Sequence, residues 1–243
     1  MSDSDRITLV PIKRSPLFAG NPVKFDLLNF LVHRPRRMKY SFPMIIPVAF
    51  VKLIHFAMRS YYMLKTPILA WLWGVRHGEH VLFQGQTIIR TRYRGSIVLG
   101  DSVLFNSQRD TNLVGLVNPT ILDTRYGGRI EVGNLSGASS VVISSMSSVK
   151  IGSRCKIGGN VRIFDHDFHS VEAEVRCTSK DRENIRTRPI EIENDCFIGT
   201  NAIILKGTHL GTRTIVAAGS VVFGLDVPPD SLVKGNPARI VER

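Results

Sequence analysis

Read from Ile192 in steps of six, the chain places an aliphatic side chain at every stop: Ile192, Ile198, Ile204, Leu210, Val216 and Val222. Four positions after each of the first five stand Cys196, Ala202, Thr208, Thr214 and Ser220, all small. An earlier run repeats the register with Ile151, Ile157 and Ile163, and with Cys155 and Val161 between them. Gly or Ala often follows the aliphatic position, as at Gly152, Gly158, Gly199, Gly211 and Ala217. This period matches neither a helix, at about 3.6 residues, nor a plain strand, at about 2. It suits a chain that makes a short strand, turns a corner and repeats. Three such strands close a triangular coil, with aliphatic side chains on its axis and small ones in its corners. No single coil buries its own interior, so the coils must stack.

Ile97-Val98-Leu99-Gly100-Asp101 and Ile130-Glu131-Val132-Gly133 read as further corners with looser spacing. The coil domain is therefore expected over 80–243, after a partly helical N-terminal extension, 1–79. Asp226-Val227-Pro228-Pro229 and Gly235-Asn236-Pro237-Ala238-Arg239 break the repeat and mark its end.

The net charge of +12 is unevenly placed. Residues 1–94 hold 15 Lys and Arg against 4 Asp and Glu, whereas residues 95–243 hold 17 against 16. An anionic partner would meet the N-terminal third; the other reading is a solvated basic tail. That third lacks any recognised nucleic-acid motif, so no nucleic-acid partner is expected. Met-Ser-Asp-Ser-Asp at the start does not read as a signal peptide. The three cysteines, Cys155, Cys177 and Cys196, lack paired spacing, which fits free thiols in a reducing compartment. A cytoplasmic location follows as the expectation.

The apolar stretch from Phe42 to Trp73 is interrupted by Pro47, Lys52, His55, Arg59, Lys65 and Pro67, unlike a spanning helix of about 20 apolar residues. Read as a helix over 50–64, it puts Phe50, Ile54, Ala57, Tyr61 and Leu64 on one side and Lys52, His55 and Arg59 on the other. Two readings stand. The helix lies on an anionic membrane, peripheral at the inner face of the plasma membrane, or it packs on the domain or a neighbouring subunit.

Between Ile163 and Ile190 the period fails, so residues 164–189 must leave the prism as a loop. That loop carries Phe164-Asp165-His166-Asp167-Phe168-His169-Ser170 and a charged stretch through Arg188. Long excursions from a compact scaffold are often functional. With the repeat and the Gly-Asn-Pro-Ala-Arg ending, this loop resembles that of the hexapeptide-repeat acyltransferases. Within them it is most similar to maltose and galactoside O-acetyltransferases and the enzymes that acetylate surface polysaccharides. The resemblance covers roughly 95–243, including Val117-Asn118-Pro119-Thr120-Ile121-Leu122 and Ser136-Gly137-Ala138.

The resemblance implies a left-handed parallel β-helix, acetyl-CoA as acyl donor, a carbohydrate hydroxyl as acceptor and a homotrimer with its active site between subunits. His169-Ser170-Val171-Glu172 with Arg176 matches the family's His-Pro-Leu-Asp-type motif, which makes His169 the expected catalytic base and His166 the reserve. Asp165, Asp167 and Glu172 are candidates to orient the ring. Coenzyme A would touch Phe197, where many relatives have tryptophan, with Thr200, Ala218, Arg239 and Arg243. The chain departs from the family at Phe223-Gly224-Leu225-Asp226, where relatives often carry a phosphate-binding lysine.

Three other readings stay open. One is N-acetylation of an amino sugar. Another is a zinc enzyme on the same fold, resembling the γ-class carbonic anhydrases, with His166, His169 and His209 as the available histidines. The last is a non-catalytic interaction platform. The acyltransferase reading needs no metal.

Overall fold

A computed structural model describes residues 42–109 and 112–241 of the chain. The chain divides into two compact units at the Pro47–Val48 bond. Only Phe42–Pro47 of the first is described, and the second, from Val48 onward, holds the coil. Arg243 lies outside the described residues.

The expected coil is present. Three sheets of parallel strands run along the molecule, and consecutive strands step from one sheet to the next. Sheet A has seven strands, from Arg76–His77 to Asp226–Val227. Sheet B has eight, from Leu82–Gln84 to Ala238–Val241, and sheet C six, from Thr87–Arg90 to Val221–Phe223. The aliphatic positions stack in columns along the axis. On sheet C, Ile143, Ile163, Ile204 and Val222 are successive partners, all essentially without solvent contact. Full burial of each such side chain is worth about 1.5–3 kcal/mol, which only stacked coils provide.

The small positions also have a reason. Cys196, Ala202, Thr208, Thr214 and Ser220 are all buried. Thr208 Oγ1 donates to the Leu205 carbonyl at 2.7 Å, so its hydroxyl closes the corner instead of being stranded there. At Gly199 a Cβ would sit 2.4 Å from the Ala218 nitrogen of the next coil, which demands the glycine. Cys155 and Cys196 are buried free thiols one coil apart, and Cys177 is free and exposed.

The coil continues past the expected break at Asp226. Val227 and Val233 are fully buried and extend sheets A and B. The step from Val222 to Val227 is one residue short, yet the strand Asp226–Val227 still pairs with His209–Leu210. Ala238–Val241 then folds back antiparallel on Leu232–Gly235 and caps sheet B.

The helix extends well beyond the 50–64 read as helical, spanning Phe42–Leu72 and so nearly the whole apolar stretch. From Val48 onward its orientation is inverted relative to an ordinary amphipathic helix. Thr66 and Ala70 are buried and His55, Arg59 and Tyr62 half-buried. Phe50, Leu64 and Trp71 are 62%, 71% and 69% exposed, with Ile54, Tyr61 and Ile68 on the same outer stripe. Burial of the Arg59 guanidinium lowers its pKa. No described helix is long and apolar enough to cross a membrane.

Candidate functional site

The excursion leaves the corner between sheets C and A, after Arg162–Phe164 and before Ile190–Ile192. Its neck is zipped. His166 and Thr187 form an antiparallel bridge, and the Arg188 N–H donates to the Asp165 carbonyl at 2.9 Å. Beyond the neck lie a short helix, Ala173–Arg176, and a 3-10 turn, Asp181–Asn184. Arg176 stiffens the bend by donating through Nε to the Ser170 carbonyl at 2.8 Å and through Nη2 to that of Val171 at 3.0 Å.

Asp165 ties this neck to the coil. Its buried carboxylate accepts from Ser145 Oγ at 2.7 Å, the Met146 N–H at 2.8 Å, the Ser147 N–H at 2.9 Å and His166 Nδ1 at 2.9 Å. Burial pushes this carboxyl up, but the bonds from His166, Met146, Ser145 and Ser147 outweigh it and leave the pKa below its ordinary value. His166 is 3% exposed, and its Nε2 is buried with no hydrogen-bond partner among the described residues. Its ring packs on Phe168 at a centroid distance of 4.3 Å. Phe168 has φ +66°, a left-handed conformation that costs a residue of this size about 1–3 kcal/mol.

His169, the next residue, is turned outward, with its side chain 68% exposed. Asp181 Oδ2 lies 2.8 Å from His169 Nδ1, and Asp181 Oδ1 accepts the Ser170 N–H at 2.7 Å. The Ser170 bond, then the imidazole, hold the Asp181 carboxyl below its ordinary pKa. A carboxylate on Nδ1 selects the tautomer with the proton there, which leaves Nε2 as the basic nitrogen.

The carboxylate beside His169 is therefore none of the three expected. Asp165 holds His166, Asp167 pairs with Lys206, and Glu172 lies 3.6 Å from Arg186. Asp181 was missed because it lies twelve residues on, and only the folding of the excursion brings it back. The surrounding cleft, about 270 Å3, was missed too. Arg90, Arg92, Arg125 and Tyr126 line it from earlier coils of the same corner, opposite His169 and Arg182.

The expected donor residues lie elsewhere. Phe197 projects half-exposed from sheet B. Thr200 follows at the corner between sheets B and C, its Oγ1 donating to the Gly159 carbonyl at 2.7 Å, and exposed Ala218 stands one coil further on. Arg239 is exposed on the returning strand of sheet B. These residues share one side of the prism, whereas His169 is at the corner beyond sheet C. One chain does not bring the two groups together.

His209 is clamped away from both, with Nδ1 2.7 Å from Asp226 and Nε2 3.1 Å from Glu193. Among the described residues no three His, Cys, Asp or Glu side chains form a metal-binding group.

Residues 189–223 match the family model described as the hexapeptide repeat of succinyl-transferase. A 2,3,4,5-tetrahydropyridine-2,6-dicarboxylate N-acetyltransferase of Staphylococcus aureus (strain JH9) is 46% identical over 55 residues, 23% of this chain and 23% of that protein. The chain thus spans under a quarter of the length of the curated relatives it matches. Among solved structures, AntD, an N-acyltransferase from Bacillus cereus in complex with dTDP and 3-hydroxybutyryl-CoA, overlaps with a TM-score of 0.56 at 13% identity, over 74% of this chain and 89% of that one. A maltose O-acetyltransferase from Clostridium difficile 630 overlaps with a TM-score of 0.47 at 21% identity, over 78% and 88%. The repeat is thus matched over residues 189–223, and the likeness to AntD shows the fold, a parallel β-helix of three sheets.

Proposed function

We propose that this protein is an acetyl-CoA-dependent acyltransferase acting on a carbohydrate hydroxyl, with His169 as its catalytic base. The observation that carries this reading is the pairing of His169 Nδ1 with Asp181 beside an open polar cleft. With Nδ1 donating to Asp181, the neutral ring offers Nε2 to the acceptor hydroxyl. Nε2 takes that proton as the oxygen attacks the thioester carbonyl. Collapse of the tetrahedral adduct breaks the carbon–sulfur bond, and the imidazolium returns the proton to the departing thiolate. Positioned acid–base catalysis of this kind typically contributes about 10²–10⁴-fold. His166 serves less well: it is buried, so an acceptor reaches its Nε2 only if Phe168 moves.

Phe197, Thr200, Ala218 and Arg239 form the proposed donor side. Their separation from His169 within one chain supports a homotrimer, in which the donor side of one subunit meets the excursion of its neighbour. The outer stripe of the long helix supports contact with an anionic membrane surface. The helix exposes Lys52 and Lys65 and holds no acidic residue, which is the charge such a surface selects. A cytoplasmic enzyme, peripheral at the inner face of the plasma membrane, follows from that reading.

The matched Staphylococcus and Bacillus proteins are named for transfer to nitrogen, and this favours amino-sugar N-acetylation as the second reading. The same Nε2 would take a proton from the sugar's neutral amine as its nitrogen attacks the thioester carbonyl. The test is coenzyme A thiol release from acetyl-CoA across a panel of hydroxyl and amino sugars. His169→Ala should lower kcat/KM by about 10²–10⁴-fold. An unchanged rate in His169→Ala moves the base elsewhere, and no release by wild type with any acceptor refutes the acyltransferase.

A further inference from the structure

We infer that the cleft beside His169 is an anion-reading subsite, so that the acceptor is an acidic carbohydrate bearing a phosphate or a carboxylate. This rests on the acyltransferase reading for the chemistry, but the binding itself does not.

Four guanidinium groups, from Arg90, Arg92, Arg125 and Arg182, line the cleft, against two carboxylates, Asp123 and Asp181. The carboxylates are already engaged. Asp123 Oδ2 accepts from Arg125 Nε at 2.5 Å and Ser144 Oγ at 3.2 Å, and Asp181 binds His169 and Ser170. Arg125 is committed to Asp123. The remaining three cations are exposed and carry no ion pair among the described residues. Arg92 lies over the Tyr126 ring at 5.8 Å, and Arg90 and Arg182 have no side-chain partner among those residues.

The placement is a product of the fold. Arg90 ends a sheet C strand directly below Asp123, which lies below Ser144, which lies below Phe164 at the root of the excursion. Stacked coils therefore put Arg90 and Arg92 at one end of the cleft, and the excursion puts His169 and Arg182 over it. Planar guanidinium forks bind phosphate and carboxylate oxygens through paired hydrogen bonds. Asp123 Oδ1, buried in the cleft wall, has no partner among the described residues. An anion held by Arg90, Arg92 and Arg182 would fix a sugar with its nucleophile under His169.

The test has two arms. Equilibrium binding of a nucleotide diphosphate sugar, a uronic acid and a neutral sugar is measured calorimetrically without donor. Acyl transfer to the same three is then measured at low and high salt. Wild type should bind at least one acidic sugar more tightly than the neutral one. The double variant Arg90→Gln/Arg92→Gln, and separately Arg182→Gln on the excursion, should weaken that binding about tenfold or more. In transfer, the acidic-to-neutral ratio of kcat/KM should fall similarly, and added salt should lower it in wild type. Preference for the diphosphate sugar identifies phosphate as the group read; preference for the uronic acid identifies carboxylate. Acidic-sugar binding that the variants abolish, with no acyl transfer to any acceptor, keeps the subsite and removes the acyltransferase reading. Equal binding of acidic and neutral sugars, or acidic-sugar binding unaltered in both variants, overturns the subsite.

Discussion

Asp165 is the residue on which the excursion hangs, and its replacement gives the sharpest test of the site's construction. In Asp165→Ala the Met146 and Ser147 N–H groups, the Ser145 hydroxyl and His166 Nδ1 all lose their acceptor. Removing one side of a buried polar pair costs about 3–5 kcal/mol. Four stranded donors place this site within that range even if the Ser145 hydroxyl rotates to another acceptor. At about 2–4 °C per kcal/mol for a domain of this size, Tm should fall by roughly 6–20 °C. Asp165→Asn keeps the volume and one acceptor oxygen but turns an NH2 toward other donors, so about half that loss is expected.

The pH dependence probes the same bond set a second way. The folded pKa of Asp165 lies below its ordinary value of 3.8, so the carboxylate's contribution is complete above that value and disappears as pH falls through the folded pKa. The stability gap between wild type and Asp165→Asn should therefore be constant near neutrality and narrow below about pH 4. The assay is thermal unfolding of the full chain followed by circular dichroism across pH. An Asp165→Ala variant within about 1 kcal/mol of wild type, or a gap that does not change with acid, would refute the anchoring role.

Two further outcomes follow from the same structure. His209 has a raised pKa, first through its bond to Asp226 and then, against burial, through Glu193. Its contribution is thus complete below its ordinary value of 6.5 and lost as pH rises through the folded pKa; the stability difference between wild type and His209→Gln should shrink toward alkaline pH, and a difference that grows there would contradict the clamp. The full chain should co-sediment with vesicles containing anionic lipid and less with zwitterionic ones. Leu64→Asp/Trp71→Gln should reduce that binding at least tenfold, since each buried side chain contributes about 1.5–3 kcal/mol; equal sedimentation of wild type and variant would assign the stripe to another partner.

The coil was legible in the order of residues, because a period of six specifies which side chains point to the axis and where each corner needs a small residue. Ile204 and Val222, three steps apart, could be stacked from that period, and its failure located the excursion and its two histidines. It did not reveal what the excursion does once it leaves the prism. Periodicity encodes direction along a regular element, whereas the return of Asp181 to His169 depends on an irregular chain path held by Arg176 and the zipped neck. Tertiary contacts also distinguished His166 from His169, since two polar neighbours in sequence differ only once the Asp165 anchor buries one and the strained Phe168 turns the other out. Stacking did the rest. Coils that are distant in sequence lie adjacent in space, which is how Arg90 and Arg92 come to line a cleft with Arg182. The helix shows the same division: its apolar stripe was legible, but that its polar side faces inward shows only in the burial of Thr66 and in the cleft that Arg59 and Tyr62 share with Gly85 and Ser107 of the coil.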